Sequence, residues 1–247
     1  MDTNANGLLF ASYNIHKCVG SDRRFDPARI AAVIAEIGAD VLALQETDRR
    51  FGDRAGLLDL AAIERDAGLA AAPVRNSHSG HGWHGNLVLA RAATFRHVHQ
   101  VVLPGLEPRG ALVADLELAS GAVRVVAAHL GLLRHSRRLQ VELLLAHAAG
   151  AGDPGAEHPT VLMGDLNEWR HGRRSALHAF SPSFGPMNLG APSFPAYFPV
   201  LALDRIIARP GRILGPVEAH DTPLARKASD HLPIKARVRL DGGKAKA

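Results

Sequence analysis

The hydrophobic residues of this chain come in short, dense runs, and many of the runs end abruptly at a polar residue. Residues 8–13 and 40–44 form two such runs and predict two buried strands. Between them, apolar residues recur at the spacing of one helix face, at Ile30, Val33, Ile34 and Ile37. The pattern predicts a strand–helix–strand unit at the beginning of the chain.

The predicted helix has recognisable ends. Asp26-Pro27 precedes it, and Asp is a favoured helix cap while Pro suits the first helical turn. Gly38 follows the last apolar position and predicts the end of the helix. A right-handed crossover sets the two strands side by side. Asn14 and Glu46, which follow the two strands, are therefore expected to be neighbours.

Short apolar runs continue along the rest of the chain. We predict helices over residues 57–67 and 136–149, and a long surface loop over residues 181–199. We predict further strands over residues 86–90, 97–103, 111–118, 123–129, 160–163, 204–208, 213–217 and 233–240. Strands that alternate with helices at first, and form hairpins later, indicate two mixed sheets packed together with helices outside. Polar residues at the strand ends then gather at one rim.

Composition narrows the class of protein. Apolar residues make up 47% of the chain, which is ordinary for a globular protein with a sizeable core, and no linker-like segment divides the sequence. We expect one domain over residues 7–241, with flexible tails at residues 1–6 and 242–247. The single cysteine, Cys18, excludes an internal disulfide and favours a reducing compartment.

The charge and the N-terminus add further limits. A net charge of +5, to which Lys244 and Lys246 of the tail contribute, permits a phosphate-bearing substrate without demonstrating nucleic-acid binding. The N-terminus lacks the basic segment of a secretory signal, and no apolar run approaches the length of a membrane span. We therefore expect a cytoplasmic protein without a transmembrane segment. No feature of the sequence identifies a protein partner.

The segment Gly164-Asp165-Leu166-Asn167 is the strongest sign of chemistry. It follows the apolar run at residues 160–163, so a buried strand delivers a carboxylate and a carboxamide to its end. Because side chains alternate along a strand, Asp165 and Asn167 are expected on the same side. Such a pair can bind a hydrated Mg²⁺ ion, orient a water nucleophile or contact a phosphate oxygen.

Hydrolysis of a phosphate ester needs a cation for the phosphate oxygens, a base for water and donors for the developing charge. Mg²⁺ prefers oxygen ligands and takes only a few carboxylates, so Glu46 is the best ligand candidate, with Asn14 and Asp230 assisting. His231 can act as base or acid with Asp204 as the carboxylate that orients it. His129 and Asn167 can donate to a phosphate oxygen.

Ordinary structural explanations compete with these roles. Asp165 and Asn167 also suit a turn, and Asp204 can form a surface ion pair with Arg205. His78, His81 and His84 lie in a Gly- and Ser-rich segment that favours a loop over a metal site. The basic run at Arg134, Arg137 and Arg138 favours a solvated helix face, because no aromatic residues interleave with it.

Seven segments form an ordered set of motifs along nearly the whole chain. They are Tyr13-Asn14-Ile15-His16, Leu44-Gln45-Glu46, Gly85-Asn86-Leu87-Val88-Leu89, His129-Leu130-Gly131-Leu132, Gly164-Asp165-Leu166-Asn167, Leu203-Asp204-Arg205-Ile206 and Ser229-Asp230-His231-Leu232-Pro233. In this order they resemble the motifs of the endonuclease/exonuclease/phosphatase superfamily of deoxyribonuclease-like and sphingomyelinase-like phosphoesterases. The resemblance implies an α/β fold, a four-layer α/β/β/α sandwich of two mixed sheets with outer helices. It also implies phosphoester hydrolysis that depends on Mg²⁺ or Mn²⁺.

The resemblance assigns roles residue by residue. It implies a metal site of Glu46, Asn14 and Asp230, a catalytic set of His129, Asp165, Asn167, Asp204 and His231, and a phosphate-approaching Arg109. Abasic-site endonucleases usually have tyrosine in place of His129, so the match points away from abasic-site repair.

The expected activity is that of a phosphodiesterase or nuclease that uses a metal-assisted activated water. The alternatives are a phosphomonoesterase acting on an inositol, sugar or nucleotide phosphate, and a non-catalytic binding protein on the same fold. The expected substrate is a phosphate ester, and nucleic acid is one candidate.

Overall fold

The structure is a computed structural model that describes residues 7–49, 52–75, 79–148, 158–185, 187 and 190–240. Its first sheet has six strands in the order β10-β11-β1-β2-β4-β3. These strands are β1 (Leu8–Asn14), β2 (Val41–Gln45), β3 (Leu69–Ala71), β4 (Leu87–Arg91), β10 (Glu218–Ala219) and β11 (Ile234–Val238). The pair β1 and β2 is parallel and the other pairs are antiparallel, so the sheet is mixed.

The second sheet has five strands in the order β5-β6-β7-β8-β9. They are β5 (Thr94–Leu103), β6 (Arg109–Leu118), β7 (Gly121–His129), β8 (Thr160–Asp165) and β9 (Asp204–Arg209). Only β7 and β8 are parallel, and helix α3 (Arg134–Ala148) connects them. The connection is long because parallel neighbours need a crossover, whereas β5, β6 and β7 follow one another as hairpins.

Local sequence explains where the main helices begin and end. Helix α1 (Pro27–Ile37) starts after Asp26, whose carboxylate accepts from the backbone N–H of Arg29, and ends at Gly38 in the left-handed conformation with φ 63°. The remaining helices are α2 (Leu60–Ala67), α4 (Ser181–Phe184) and α5 (Pro223–Ala228), together with single 3₁₀ turns at His16–Cys18, Gly172–Arg174, Ala176–Phe180 and Gly211–Ile213.

Three buried apolar layers separate four layers of secondary structure. The central layer joins the facing sides of the two sheets, for example through Phe10, Val88 and Met163. A second layer packs the outer face of the first sheet against α1, α2 and α5. A third packs the outer face of the second sheet against α3 and the helical segment at 176–184. The predicted α/β/β/α sandwich of two mixed sheets is confirmed.

The structure corrects several predicted elements. Residues 213–217 do not form a strand: Ile213 ends a 3₁₀ turn, and Leu214 makes only an isolated bridge to β11. Pro210 precedes this segment and Pro216 lies inside it, and proline cannot donate to a ladder. The strand β3 and the helix α5 were not predicted. The segment 181–199 is not only a surface loop, because Ser181–Phe184 is helical and Ser193 and Ala196 are fully buried.

Other predictions fall partly beyond the part of the chain that is described. The predicted tails at residues 1–6 and 242–247, and residue 149 of the predicted helix, lie outside it. The single domain over residues 7–241 stays a prediction.

Among the described residues, no helix combines the length and apolar character needed to cross a bilayer.

Candidate active site

The ends of strands from both sheets converge at one edge of the sandwich. Parallel pairing sets Asn14 beside Gln45 in the first sheet and His129 beside Asp165 in the second, while Asp165 also pairs with Asp204 of the antiparallel strand β9. Glycine is required just before this point. At Gly164, with φ 151°, an added Cβ would lie 1.8 Å from the carbonyl oxygen of Ala128.

His231 and Asp204 form a buried hydrogen-bonded pair. The Nδ1 atom of His231 lies 2.8 Å from Oδ2 of Asp204, and Oδ2 also accepts from the hydroxyl of Ser193 at 2.5 Å. Asp204 is fully buried and His231 is 5% exposed. With both donors directed at the carboxylate, the imidazole is held with its proton on Nδ1, and Nε2 points toward Asp165, 3.7 Å from its Oδ2 atom. The ring of Phe194 packs against the imidazole at a centroid distance of 4.9 Å.

Asp165 lies at the centre of the site and links the two sheets. Its Oδ2 atom accepts from Nδ2 of Asn14 at 3.0 Å, and its Oδ1 atom accepts from the backbone N–H of Asn167 at 3.0 Å. Nε2 of His129 lies 3.5 Å from Oδ2. Asp165 is 2% exposed. The carboxylate therefore accepts from Asn14 and from the backbone of Asn167, and the imidazoles of His231 and His129 lie beside it.

Burial and opposite charges shift the proton equilibria of the pair in this pocket. Burial raises the pKa of the Asp165 carboxyl to about 6, and Asp204 adds to the rise while His231 opposes it. Burial by itself would lower the pKa of His231, but the carboxylates of Asp204 and Asp165 outweigh it and raise the pKa to about 10. The imidazole therefore holds its proton at neutral pH in the ion-free site.

The two amide side chains of the site are fixed by backbone contacts. Oδ1 of Asn14 accepts from the N–H of His16 at 3.0 Å, which directs its NH₂ group at Asp165. Nδ2 of Asn167 donates to the carbonyl of Leu130 at 2.9 Å. The expectation that strand alternation sets Asp165 and Asn167 on one side is wrong. The strand ends at Asp165, and Asn167 has a left-handed φ of 52°, so a turn brings the two residues together.

Glu46 follows β2 in the left-handed conformation, with φ 60°. Its Oε2 atom lies 2.5 Å from Nζ of Lys17, which is its ion-pair partner. Burial tends to raise the pKa of Glu46, but Lys17 outweighs burial and the net shift is downward. Glu46 is thus an ionised carboxylate that Lys17 neutralises.

Arg109 and His129 form a hydrogen-bonded pair beside Glu46. The guanidinium of Arg109 donates through Nε and Nη2 to Oε2 of Glu107 at 3.1 and 2.8 Å, and its Nη1 atom lies 2.8 Å from Nε2 of His129. Because a guanidinium can only donate, Nε2 of His129 is the acceptor and the imidazole of this pair is neutral. Arg109 is thereby held in a fixed orientation at the start of β6.

Asp230 is the most exposed of the predicted residues. Its side chain is 38% exposed, and Oδ1 lies 3.7 Å from Nδ1 of His16 and 3.4 Å from the hydroxyl of Ser229. That hydroxyl also donates to the carbonyl of Asn14 at 2.7 Å, which ties the segment 229–231 to the end of β1. Asp230 therefore lies at the sandwich edge that holds Asn14, where its side chain contacts His16 and Ser229.

Two places in the site offer oxygen ligands to a divalent cation. The first is Glu46, beside a cavity of about 20 Å³ that is lined by Lys17, Arg109 and His129 among others. The second is the group Asp165, Asp204 and His231, whose potential ligand atoms lie within 4.8 Å of one another. The second group already forms a hydrogen-bonded chain around a charged imidazole, which repels a cation. Glu46, an ionised carboxylate outside this chain whose partner is a part-exposed lysine, suits a hard cation better.

The structure also decides between alternatives that the sequence left open. Arg205 does not pair with the carboxylate of Asp204; its guanidinium donates to the backbone carbonyls of Ala202, Asp204 and Glu168. His81 accepts from the backbone N–H of Leu58, and His84 contacts Arg54. His78 lies outside the described residues.

Sequence analysis missed four residues that contact the site, namely Lys17, Glu107, Ser193 and Ser229. Ser229 stands within a motif that the sequence analysis named, and Lys17 directly follows the motif that ends at His16, so both positions were a signal. Nothing in the sequence marked Ser193, which lies 11 residues before Asp204 in a segment rich in Pro and Ser.

Comparison with known proteins agrees with this geometry. The model of the Endonuclease/Exonuclease/phosphatase family matches residues 11–231 of the chain. The uncharacterized protein YbhP of Escherichia coli K12 is 28% identical over 251 aligned residues, which cover 92% of this chain and 94% of YbhP.

Solved structures show the same fold. An endonuclease/exonuclease/phosphatase from Beutenbergia cavernae superposes with a TM-score of 0.66 at 23% identity, over 94% of this chain and 72% of that one. A mannosyl-6-phosphatase from Bacteroides thetaiotaomicron superposes with a TM-score of 0.69 at 17% identity, over 94% of this chain and 99% of that one. Members of the matched family act as phosphoesterases. The chain belongs to the endonuclease/exonuclease/phosphatase family.

Proposed function

We propose that this protein is a divalent-metal-dependent phosphodiesterase that hydrolyses its substrate with a water molecule at the edge where the two sheets meet. The observation that carries the proposal is the buried chain Ser193–Asp204–His231–Asp165, with hydrogen bonds of 2.5 and 2.8 Å and a final separation of 3.7 Å. The imidazole of His231 lies between the carboxylates of Asp204 and Asp165. This arrangement is typical of a site that transfers protons, whereas a surface ion pair or a turn does not require it.

The carboxylates and the imidazole divide the work. Asp165 is the better candidate for the base that orients and deprotonates water, because its pKa of about 6 lies close to neutral pH. His231 is protonated at neutral pH, so its Nε2–H group donates to a phosphate oxygen or to the leaving group. Asp204 orients His231 and stabilises its charge. Asn14 holds Asp165 in position through its NH₂ group.

The other half of the site receives the negative charge of the phosphate. Arg109, held by Glu107 and His129, donates to phosphate oxygens at the strand start, and Asn167 adds an amide at the facing strand end. Glu46 would hold Mg²⁺ or Mn²⁺, with Asn14 and Asp230 assisting directly or through water. The bound cation would neutralise charge on the phosphate oxygens and activate the attacking water.

Exposed apolar side chains close in sequence to the site residues favour a diester over a small monoester. They are Leu106, Leu132, Leu133, Trp169, Tyr197, Phe198 and Val200. The guanidinium of Arg170 lies over the ring of Trp169, 4.7 Å from its centroid. Exposed apolar surface often marks a binding site, and a diester carries organic groups on both sides of the phosphorus that can contact it.

The proposal is tested by assaying metal-stripped protein with and without added Mg²⁺ or Mn²⁺. Bis-p-nitrophenyl phosphate represents diesters, p-nitrophenyl phosphate represents monoesters, and plasmid and single-stranded DNA, RNA and phospholipid head-group esters extend the panel. We expect diester hydrolysis that requires the cation and stops with EDTA. Full activity in metal-stripped protein would overturn the metal dependence, and turnover of monoesters alone would establish the phosphomonoesterase alternative.

Glu46→Gln sharpens this test because it removes the charge at nearly constant shape. We expect the concentration of Mg²⁺ that gives half-maximal rate to rise on the order of tenfold or more, with little change in thermal stability. A variant with a wild-type Mg²⁺ titration would show that Glu46 is not the ligand. A nuclease is recognised by salt, because a polymer bound at several phosphates loses affinity steeply as salt rises.

A further inference from the structure

Lys17 occupies a place at Glu46 that neither the sequence motifs nor the proposed reaction explains. Its ammonium nitrogen lies 2.5 Å from Oε2 of Glu46, and the two side chains are 37% and 21% exposed. Surface lysines rarely hold one geometry, because ordering their long side chains costs conformational entropy. The ordered position of the Lys17 side chain against Glu46 therefore requires a structural explanation.

The backbone around Lys17 is held in a costly conformation. His16, Lys17 and Cys18 have φ values of 45°, 54° and 60°, so three successive residues with side chains are left-handed. Local hydrogen bonds maintain the turn: the N–H of His16 donates to Asn14, and the N–H groups of Cys18 and Val19 donate to the carbonyls of Ile15 and His16. A turn anchored to Asn14 directs Lys17 toward Glu46.

A small cavity lies beside this ion pair. It has a volume of about 20 Å³, which is room for about one water-sized body, and its lining includes the carboxylates of Glu46 and Asp48 together with Lys17, Arg54 and Arg109. Glu46 is the carboxylate of this lining that a cation can reach in exchange for Lys17, because Asp48 is paired with Arg54. The carboxylate therefore has two competing partners, the ammonium of Lys17 and a divalent cation.

We propose that Lys17 is the resident counter-ion of Glu46, that a divalent cation must displace it, and that the displaced ammonium then binds the substrate phosphate. The proposal rests on the metal-dependent function proposed above. Lys17 neutralises a half-buried carboxylate when no cation is bound. Once displaced, it adds a positive charge next to Arg109, where the phosphate oxygens lie. Metal loading and phosphate binding are thereby coupled through one side chain.

Metal binding to Lys17 variants tests the first half without requiring any substrate. Mn²⁺ and Mg²⁺ affinities of metal-stripped protein are measured by isothermal titration calorimetry for wild type, Lys17→Met and Lys17→Arg. Removing the competing charge should tighten binding by roughly fivefold or more in Lys17→Met, whereas Lys17→Arg keeps the charge and should stay within about twofold of wild type. Unchanged or weaker binding in Lys17→Met would overturn the proposal.

The chain offers a matched control. Lys235 on β11 forms a comparable ion pair with Glu218, at 3.6 Å, and does not line the cavity at Glu46. Lys235→Met changes the net charge by the same amount and should leave metal affinity unchanged. A gain in metal affinity in both variants would mean that net charge alone is responsible, which also overturns the proposal.

The second half is measured at saturating cation, on whichever phosphate ester the wild type hydrolyses. Lys17→Met should raise KM by roughly tenfold, because a charge-assisted contact to the phosphate is lost, and Lys17→Arg should restore most of it. Tighter metal binding with an unchanged KM would overturn phosphate capture. If no ester is hydrolysed by any variant, the proposed function fails, while the calorimetric result still decides the competition at Glu46.

Discussion

The two halves of the site are built in opposite ways. On the side of His231, buried groups form the hydrogen-bonded chain Ser193–Asp204–His231, in which Oδ2 of Asp204 accepts both hydrogen bonds and Oδ1 has no partner. On the side of Glu46, a partly exposed carboxylate faces one lysine, a small cavity and a left-handed backbone. Hydrogen bonds and packing within the protein fix the orientation of His231 in the first half. In the second half the partner of Glu46 is Lys17, and the proposed cation would come from solution.

This contrast indicates which property each half controls. A closed network fixes the direction and energy of proton transfer, so changes to it should act on turnover. An open carboxylate sets the affinity for a cation, so changes to it should act on the concentration dependence of activity. Three experiments test whether the side of His231 acts as this comparison predicts.

The largest effect is expected from the closed half. His231→Ala and Asp204→Ala should each lower turnover by about 10²–10⁴ at saturating Mg²⁺, since Asp204 acts through His231. The double variant should be little worse than His231→Ala alone, because residues that work as a unit are non-additive. Turnover of all three variants decides the matter. Losses that multiply independently would show that the two residues do not form one unit.

A smaller effect is expected in the stability of the metal-free protein as a function of pH. The folded-state pKa of His231, about 10, lies above the unfolded value of 6.5. Its stabilising contribution is therefore fully present below pH 6.5 and is lost as the pH rises through about 10. Urea unfolding in EDTA should show the wild type losing on the order of a few kcal/mol between pH 7 and 9.5 relative to His231→Gln. Parallel curves for the two proteins would contradict the raised pKa.

The smallest effect is expected from Ser193, which contacts the closed half without handling a proton. Ser193→Ala removes the hydroxyl that donates to Asp204 at 2.5 Å and leaves a fully buried carboxylate with one donor fewer. The cost should be about 1–3 kcal/mol in the free energy of unfolding, with a loss of activity far smaller than that of His231→Ala. Chemical denaturation and turnover measure the two effects. Ser193→Thr, which keeps the hydroxyl, serves as the control.

The sequence predicted those parts of the molecule that depend on local pattern. The helix α1 has its cap at Asp26 and its end at Gly38 because these residues act within one turn. The strand ends at Asn14 and Asp165 were visible because apolar runs stop there. The pairing of Asp204 with His231 was also predicted, from motifs that match a family, although the roles assigned to these residues remain predictions.

The parts that the sequence did not reveal depend on distant contacts or unusual backbone. Ser193 is buried because its segment folds under β9 and meets Asp204, and its local composition resembles any surface loop. Lys17 reaches Glu46 through a left-handed turn, which residue preferences disfavour outside glycine. The predicted strand at 213–217 was wrong: Ile213 ends a 3₁₀ turn, and Pro216 inside the segment cannot donate to a ladder.

The site also has a consequence for the order in which the molecule is made. Its contacts join residues that are far apart in the chain: Asn14 and Asp165 are separated by 151 positions, and Asn14 and Ser229 by 215. Such contacts form late, because the entropy cost of closing a long loop must be met before the contact stabilises the chain. During synthesis the chain therefore carries Glu46 and Asp165 for some time without His231. The nascent chain therefore lacks a complete candidate site until β11 pairs with β1.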